Sequence, residues 1–288
     1  MTNHYIQDSH DFTIPFLTHS KKYEEISHEL LKFSYGDERE QYIMDHYLGG
    51  HIPSSCRNFF PIQIEFSGAI SKSMKKAILY VAGEYISLGT DEKYIRCPLN
   101  PLTAQKIADL MGCVLPTPAI VDAIWKTSHI KLPPLPWGPP YNASMMSSNR
   151  IIKHSNKIDD QLEKCGIDPS GDILAGHKKD VVMHNILKLH SNKVAIYGWH
   201  QSNGIPIQGL YYSNATHTKN PYTGHVNTYA DYSHGIRLVD QEVWIDDNQG
   251  NIEKTNIITA SNNVELWPAF GTEMQTLWRQ PQVSTEKK

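Results

Sequence analysis

The sequence predicts an α+β fold, in which a helix-rich N-terminal part is followed by a mainly antiparallel β-sheet in the C-terminal part. Apolar residues recur at helical spacing through most of the first 130 residues, whereas short runs of β-branched and aromatic residues follow one another from about residue 176. The proline-rich segment KLPPLPWGPPY lies between these two patterns, at 131–141. Because prolines lack amide donors, it is predicted to connect parts 1–141 and 142–288 of one functional unit.

Five helices are predicted in chain order. KKYEEISHELLKF at 21–33 carries an apolar stripe, and DEREQYIMDHYLGG at 37–50 begins acidic and ends in two glycines. NPLTAQKIADLMG begins with Asn100 as its cap and a proline in the first helical position, and TPAIVDAIW repeats this arrangement with Thr117. The last helix, IIKHSNKIDDQLEKCG, is predicted to end at Gly166 and to link the two parts.

The strands fall into an early pair and a later series. PIQIEFSG at 61–68 and KKAILYVAGEYISLG at 75–89 predict the early pair. The later strands are predicted over HKKDVVM, KVAIYGWH, IPIQGLYY, GIRLVDQEVWID and KTNIITA. DNQG at 247–250 predicts a hairpin turn between the last two strands.

Charge and composition argue against several classes of protein. The chain has 27 basic and 30 acidic residues, a net charge of -3 and no basic run, so no nucleic-acid partner is predicted. No apolar run approaches the length of a membrane span, and the first residues, MTNHYIQDSHDF, lack the regions of a signal peptide. The four cysteines lack CxxC spacing, which argues against a zinc ribbon. The compartment stays open, including a secreted or periplasmic location.

A cluster of histidines and aspartate at predicted strand ends is the main candidate site. KVAIYGWH ends in His200, and GHVNTYADYSHG contains His225, Asp231 and His234. Reactive groups are often displayed where rigid strands end in loops, so these side chains are predicted to converge. Such a site would act without a cofactor, with His200 or His234 as the general base and Asp231 orienting it.

The nucleophile and the substrate contacts are expected from other segments. Cys113 precedes a capped helix start, where the helix dipole favours a thiolate, and a small buried residue is the alternative. Arg237 is predicted to hold a substrate carboxylate, with an ordinary salt bridge as the alternative. Tyr232 and Trp199 are predicted to contact substrate or else to pack. HKKD at 177–180 could bind an anionic group or form a solvated strand end.

Two further hypotheses use some of the same side chains. In the first, His200, His225 and His234 bind a catalytic zinc together with a water, although their spacing is not that of an HExxH motif. In the second, the protein is a non-catalytic wall-binding or effector protein. Its contact surface would be formed by the aromatic side chains of Trp137, Tyr141 and Trp199.

Two local motifs resemble those of cell-wall enzymes. SHGIRL at 233–238 resembles the SHGC and IRL signature of the L,D-transpeptidases, and GWH at 198–200 is similar to their upstream histidine motif. The nucleophilic cysteine of that family is absent, since Ile236 follows Gly235 directly. The order of Cys113 and the later histidines is similar to that of papain-like cell-wall peptidases, without their aspartate-cysteine-serine run. The cluster of histidines and aspartate at strand ends beside glycines predicts a hydrolase of peptide or amide bonds, and the resemblances imply bacterial cell-wall peptides as its substrates.

A longer segment resembles a group of uncharacterised bacterial proteins. The resemblance spans residues 86–240 and includes LNPLTAQKIADLMGCVLPTPAIVDAIW, AGHKKDVV, VAIYGWH and YADYSHGIRLV. It implies no activity. It does imply that the helical part and the sheet belong to one functional unit.

Overall fold

The chain adopts an α+β fold, as predicted, in a computed structural model that describes residues 14–209, 211–212, 219–220, 223–260 and 262–270. The helices of this part are α1 (Tyr23–Leu30), α2 (Asp37–Leu48), α3 (Pro101–Leu110), α4 (Pro118–Thr127), α5 (Ser148–Cys165), α6 (Ile257–Ala260) and α7 (Trp267–Phe270). The strands are β1 (Phe59–Ser67), β2 (Met74–Ala82), β3 (Ser87–Gly89), β4 (Tyr94–Arg96), β5 (Cys113–Val114), β6 (Ile130–Lys131), β7 (Leu174–Ala175), β8 (Lys179–Val181), β9 (Ile196–His200), β10 (Pro206–Gln208), β11 (Tyr211–Tyr212), β12 (Lys219–Asn220), β13 (His234–Gly235), β14 (Val239–Asp246) and β15 (Ile252–Asn256).

The helix ends follow the capping residues of the sequence. The Asn100 side chain accepts hydrogen bonds from the amides of Leu102 and Thr103, at 2.9 and 3.0 Å, and so begins α3. Thr117 caps α4 in the same way, and α5 ends at Gly166 in the left-handed conformation, with φ of 63°. All five predicted helices are confirmed.

The main sheet has the strand order β1-β2-β14-β15, all antiparallel, and β5 also pairs with β14. Trp244 of β14 lies opposite Ile78 of β2, so the parts before and after the proline-rich connector share this sheet. The predicted order of helices first and sheet later is therefore only partly confirmed. The hairpin between β14 and β15 forms at DNQG, where Asp246 lies opposite Ile252.

The second sheet carries the predicted site and has the order β10-β9-β8-β13. Lys179 of β8 lies opposite Gly198 of the antiparallel strand β9 and opposite His234 of the parallel strand β13. The Lys179 amide donates a hydrogen bond of 2.7 Å to the Ser233 carbonyl. The HKKD and SHG segments are therefore neighbours in space.

Helix α4 lies between the apolar core and the second sheet. Its Ile120 and Ile124 belong to the main core, whereas Val121 packs with Val182 and Tyr197 of the second sheet. The connector forms neither helix nor strand after Lys131, as predicted for its prolines. No helix in the described ranges is long and apolar enough to cross a membrane.

Candidate functional site

The second sheet has two faces, which the side chains of β8 define. Successive residues of a strand point to opposite faces, so Lys179 and Asp180 mark one face each. The Lys179 ammonium lies 4.5 Å from the centroid of the Trp199 ring, on the first face. His234 is the register partner of Lys179, and Tyr197 is that of Asp180, so His234 and Tyr197 lie on opposite faces.

Strand β9 is irregular where it passes β8. Gly198 has φ of 102° and Trp199 has φ of 58°, a conformation that bulky side chains rarely adopt. The usual alternation of side chains is interrupted there, because the Tyr197 hydroxyl and His200 Nε2 both contact Asp122 Oδ1, at 3.0 and 2.9 Å. His200 therefore lies on the same face as Tyr197.

The structure thus separates His200 from His234, which the sequence predicted to converge. His234 lies on the opposite face and has its own carboxylate, Asp231, whose Oδ1 is 3.9 Å from His234 Nε2. Asp231 is therefore positioned to orient His234 and not His200. The physical reason is the irregularity at residues 198–199, which changes the side to which β9 directs its last residue.

The loop before β13 is organised by the Asp231 side chain. Its Oδ1 accepts hydrogen bonds from the Ser233 amide and hydroxyl, at 2.8 and 2.5 Å, as aspartate does in turns. Its Oδ2 accepts one of 3.1 Å from the Tyr229 hydroxyl. The segment YADYSHG is therefore a turn that places His234 at the start of β13. Together with its neighbours on this face, His234 forms the His234 cluster, which consists of His234, Asp231, Ser233, Lys179 and Trp199.

Three buried nitrogen atoms of this cluster lack hydrogen-bond partners. His234 is 1% exposed, and neither of its ring nitrogens has a partner in the described part of the chain. The same is true of the Trp199 indole nitrogen. Buried polar atoms without partners are rare in folded proteins, and strained residues such as Trp199 concentrate at functional sites. This coincidence makes this face of the sheet the candidate functional site.

The His234 cluster contains a neutral base beside opposite charges. Burial lowers the pKa of His234 to about 4, so its imidazole is neutral near pH 7. Burial tends to raise the pKa of Asp231, but the neighbouring His234 and Lys179 and the hydrogen bonds from Ser233 lower it to about 2. Burial also lowers the pKa of Lys179. A neutral imidazole, a carboxylate and an ammonium therefore lie together.

An aromatic layer covers His234. The His225 ring stacks on Tyr229 with centroids 3.9 Å apart, and the edge of Tyr229 contacts the His234 ring at 5.7 Å. The His225 carbonyl accepts a hydrogen bond from the Val194 amide at 3.1 Å, which attaches the layer to the segment before β9. His225 and Tyr229 are half-buried, so His234 lies one aromatic layer below the surface.

A second His–Asp pair, formed by His200 and Asp122, joins α4 to the second sheet. Asp122 accepts hydrogen bonds from both Tyr197 and His200, and the Trp125 ring stacks on His200 with centroids 5.5 Å apart. Asp122 was not predicted as part of any site. It is the only charged residue in the apolar helix segment TPAIVDAIW, and this was the available signal.

The structure does not bring Cys113 to the histidines of the second sheet. Cys113 lies in β5 of the main sheet, opposite Asp240, and its thiol is 3.6 Å from the Met111 carbonyl. Burial raises the pKa of the Cys113 thiol, which is opposite to the thiolate expected from a helix dipole. The alternative of a small buried residue agrees with this position, because Cys113 belongs to the main core.

Arg237, which was predicted to hold a substrate carboxylate, is buried and its guanidinium contacts other parts of the protein. Its side chain is fully buried and donates hydrogen bonds to the carbonyls of Ala82 and Leu174, at 2.8 and 2.6 Å. Its guanidinium also lies 4.0 Å from the centroid of the Tyr85 ring. These contacts join the segment between β13 and β14 to β2 and β7, and Arg237 forms no salt bridge with the described residues.

Tyr232 and the aromatic residues of the predicted contact surface lie in different environments. The Tyr232 hydroxyl accepts a hydrogen bond of 2.7 Å from the Trp137 amide, and its ring packs against His154. Tyr141 is 77% exposed, whereas Trp199 is 5% exposed. Trp137, Tyr141 and Trp199 therefore do not form one exposed contact surface.

The zinc hypothesis requires His200, His225 and His234 to meet. Within the described ranges, no group of three or more His, Cys, Asp or Glu side chains is placed to hold a metal ion. The ring of Tyr229 lies between His225 and His234 and contacts both. His200 lies on the other face of the sheet. The structure brings two of the three predicted ligands near each other and leaves out the third.

Comparisons of the chain with protein-family models, with curated proteins and with solved structures give no match.

Proposed function

We propose that the protein hydrolyses peptide or amide bonds at the His234 cluster, with water as the nucleophile. The observation that carries this proposal is the buried, neutral imidazole of His234 with both nitrogens unpartnered in the described chain, 3.9 Å from an ionised aspartate. A neutral imidazole can accept a proton from water, and a nearby carboxylate stabilises the imidazolium that forms. Cys113 has no part in this mechanism.

The reaction needs only groups of the cluster and water. The water oxygen attacks the amide carbon while its proton passes to His234, and the Asp231 carboxylate stabilises the imidazolium that forms. The C–N bond then breaks, and His234 returns the proton to the leaving nitrogen. The products are a carboxylic acid and an amine, and His234 is neutral again.

The substrate part of the proposal rests on the resemblance of SHGIRL to cell-wall enzymes. Short peptides of the peptidoglycan type are therefore the first substrates to test. The layer of His225 and Tyr229 has to move for such a peptide to reach His234, because the imidazole is 1% exposed.

A hydrolysis assay tests the proposal. Wild-type protein is incubated with peptidoglycan fragments and with a library of short peptides, and mass spectrometry detects products that have gained one water. We expect His234→Gln to reduce turnover by about 100-fold or more. His200→Gln is the matched control, since it removes the other histidine of a His–Asp pair, and Cys113→Ala tests the discarded nucleophile; both variants should retain turnover.

Two outcomes would contradict the proposal. The first is the absence of any product with wild-type protein, which would favour a non-catalytic binding protein. The second is turnover by His234→Gln equal to that of wild type. Thermal melting of each variant shows whether a loss of turnover reflects a loss of folding.

A further inference from the structure

We infer that the His234 cluster binds a carboxylate of its ligand through Lys179 Nζ and Trp199 Nε1. The inference rests on the proposed function for the position of the scissile bond, and on the structure alone for the binding of the anion. The expected substrates are therefore peptides that end in a free carboxylate close to the bond that is cleaved.

The side-chain ammonium of Lys179 has no hydrogen-bond partner in the described part of the chain. Its ammonium lies on the face of the Trp199 ring, at 4.5 Å from the centroid, and makes neither a salt bridge nor a hydrogen bond there. The charge of Asp231 acts on Lys179 without a hydrogen bond between them, and the two Asp231 oxygens accept from Ser233 and Tyr229. The donors of the Lys179 ammonium therefore have no hydrogen-bond acceptor among the described residues.

Trp199 supplies a second donor without an acceptor. Its side chain is 5% exposed and its indole nitrogen has no partner among the described residues. An indole N–H can only donate, as can an ammonium, so both groups require acceptors. Because Trp199 has a positive φ of 58°, its ring lies on the same face of the second sheet as Lys179 and not on the face of Tyr197.

A carboxylate is the group that completes this arrangement. It is an acceptor with two oxygens, which matches two donors, whereas a phosphate has more acceptor oxygens than the site has donors. A carboxylate on Lys179 would also be close to His234, because the two residues are register partners on adjacent strands about 4.8 Å apart. One residue of a peptide spans about 3.8 Å between Cα atoms, so the amide beside His234 would be the last one of the chain.

Binding experiments separate this inference from the proposed function. The protein used is His234→Gln, so that hydrolysis does not consume the ligand, and the probes are N-acetyl-alanyl-alanine, its C-terminal amide and inorganic phosphate. Isothermal titration calorimetry measures each affinity. We expect the acid to bind about tenfold or more tightly than the amide, because only the acid can form a charged hydrogen bond with Lys179.

Variants in the same background test which side chains are responsible. Lys179→Met should abolish the preference for the acid, Lys179→Arg should retain it, and Trp199→Phe should weaken it. The matched control is Lys131→Met, because Lys131 also places its ammonium on a tryptophan, Trp125, at 4.8 Å from the ring centroid. This control should bind as the parent does.

Every result bears on the inference. Equal binding of acid and amide, no binding of the acid, a preference that survives Lys179→Met, or phosphate binding as tight as that of the acid would each overturn it. Binding that depends on Lys179, with no hydrolysis by wild type, would support the carboxylate site and contradict the hydrolase. Hydrolysis of acid and amide at equal rates would support the hydrolase and contradict the carboxylate site.

Discussion

The two His–Asp pairs of the second sheet use the same residue types and differ in every contact that surrounds them. His200 Nε2 donates a hydrogen bond of 2.9 Å to Asp122 Oδ1, and the His200 ring stacks on Trp125. His234 is 3.9 Å from Asp231, and both of its ring nitrogens are unpartnered in the described chain. A hydrogen-bonded pair stabilises the fold, whereas a buried group without a partner costs about 1–3 kcal/mol. We therefore expect the His200–Asp122 pair to serve stability, whereas the His234–Asp231 pair is the proposed reaction site.

The largest expected effect on activity comes from replacing each of the two aspartates separately by asparagine. Asp231→Asn removes the charge that stabilises a protonated His234, and we expect kcat/KM for peptide hydrolysis to fall by about 100-fold or more. Asp122→Asn should leave kcat/KM within about twofold of wild type and reduce the free energy of unfolding by about 1–2 kcal/mol. Steady-state kinetics and urea denaturation measure the two quantities. Equal losses of activity in both variants would remove the distinction between the pairs.

Acid should destabilise the protein through His234. Its pKa is about 4 in the folded chain and 6.5 when unperturbed, so below pH 6.5 the unfolded chain takes up a proton that the folded chain excludes. The stability is therefore complete above pH 6.5 and is lost as the pH falls towards 4, by up to about 3 kcal/mol for this residue. Buried His177 and His184, whose pKa values burial also lowers to about 4, act in the same direction.

Urea denaturation at several pH values checks this dependence. The slope of the unfolding free energy against pH reports how many protons are taken up on unfolding. His234→Gln should reduce this number by up to one relative to wild type, which corresponds to about 1.4 kcal/mol per pH unit. The exposed Gln201 provides the control variant, Gln201→Asn, which changes no titratable group and should keep the wild-type slope. An unchanged slope in His234→Gln would mean that His234 is protonated in the folded protein.

The irregularity of β9 can be tested at Gly198. Alanine there would have to adopt φ of 102° and would place its Cβ 3.2 Å from Val121 Cγ1 and 3.4 Å from Asp180 Oδ2. We expect Gly198→Ala to reduce the free energy of unfolding by about 1–3 kcal/mol. Gly171→Ala is the control, because no atom lies within 4 Å of a Cβ at that position, and its stability should be unchanged. Wild-type stability of Gly198→Ala would show that β9 can adopt regular alternation.

The smallest effect is expected at the aromatic layer. Tyr229→Phe removes the hydrogen bond of 3.1 Å to Asp231 Oδ2 and retains the ring contacts with His225 and His234. We expect a loss of about 0.5–1.5 kcal/mol in stability and less than tenfold in kcat/KM. Chemical denaturation and kinetics measure both. A loss of activity as large as that of Asp231→Asn would instead assign Tyr229 a direct role in the reaction.

The segments with local signals were predicted well. Asn100 and Thr117 begin their helices and Gly166 ends α5, each through contacts with residues within a few positions, and DNQG turns the chain between β14 and β15. The sharing of one sheet by β2 and β14 was not predicted, because pairing between strands more than 150 residues apart leaves no trace in either strand alone.

The site was predicted only in part for a similar reason. His234 and Asp231 are close in sequence, and a turn of four residues brings them together. The partner of His200 is Asp122, 78 positions away on a helix, and nothing near His200 in sequence indicates it. Cys113 and Arg237 were assigned chemistry from their residue type and sequence context, whereas their burial in the core determines their role.

The amino-acid sequence by itself determined the α+β class, the helix ends, the hairpin and the turn that holds His234, because each depends on interactions over a few residues. The tertiary structure alone decided which face of the sheet each histidine occupies. Two positive φ angles, at Gly198 and Trp199, direct His200 towards Asp122 and leave His234 with Lys179 on the other side. Backbone conformations of this kind are stable only when the surrounding packing enforces them, so their consequence cannot be predicted from the local sequence.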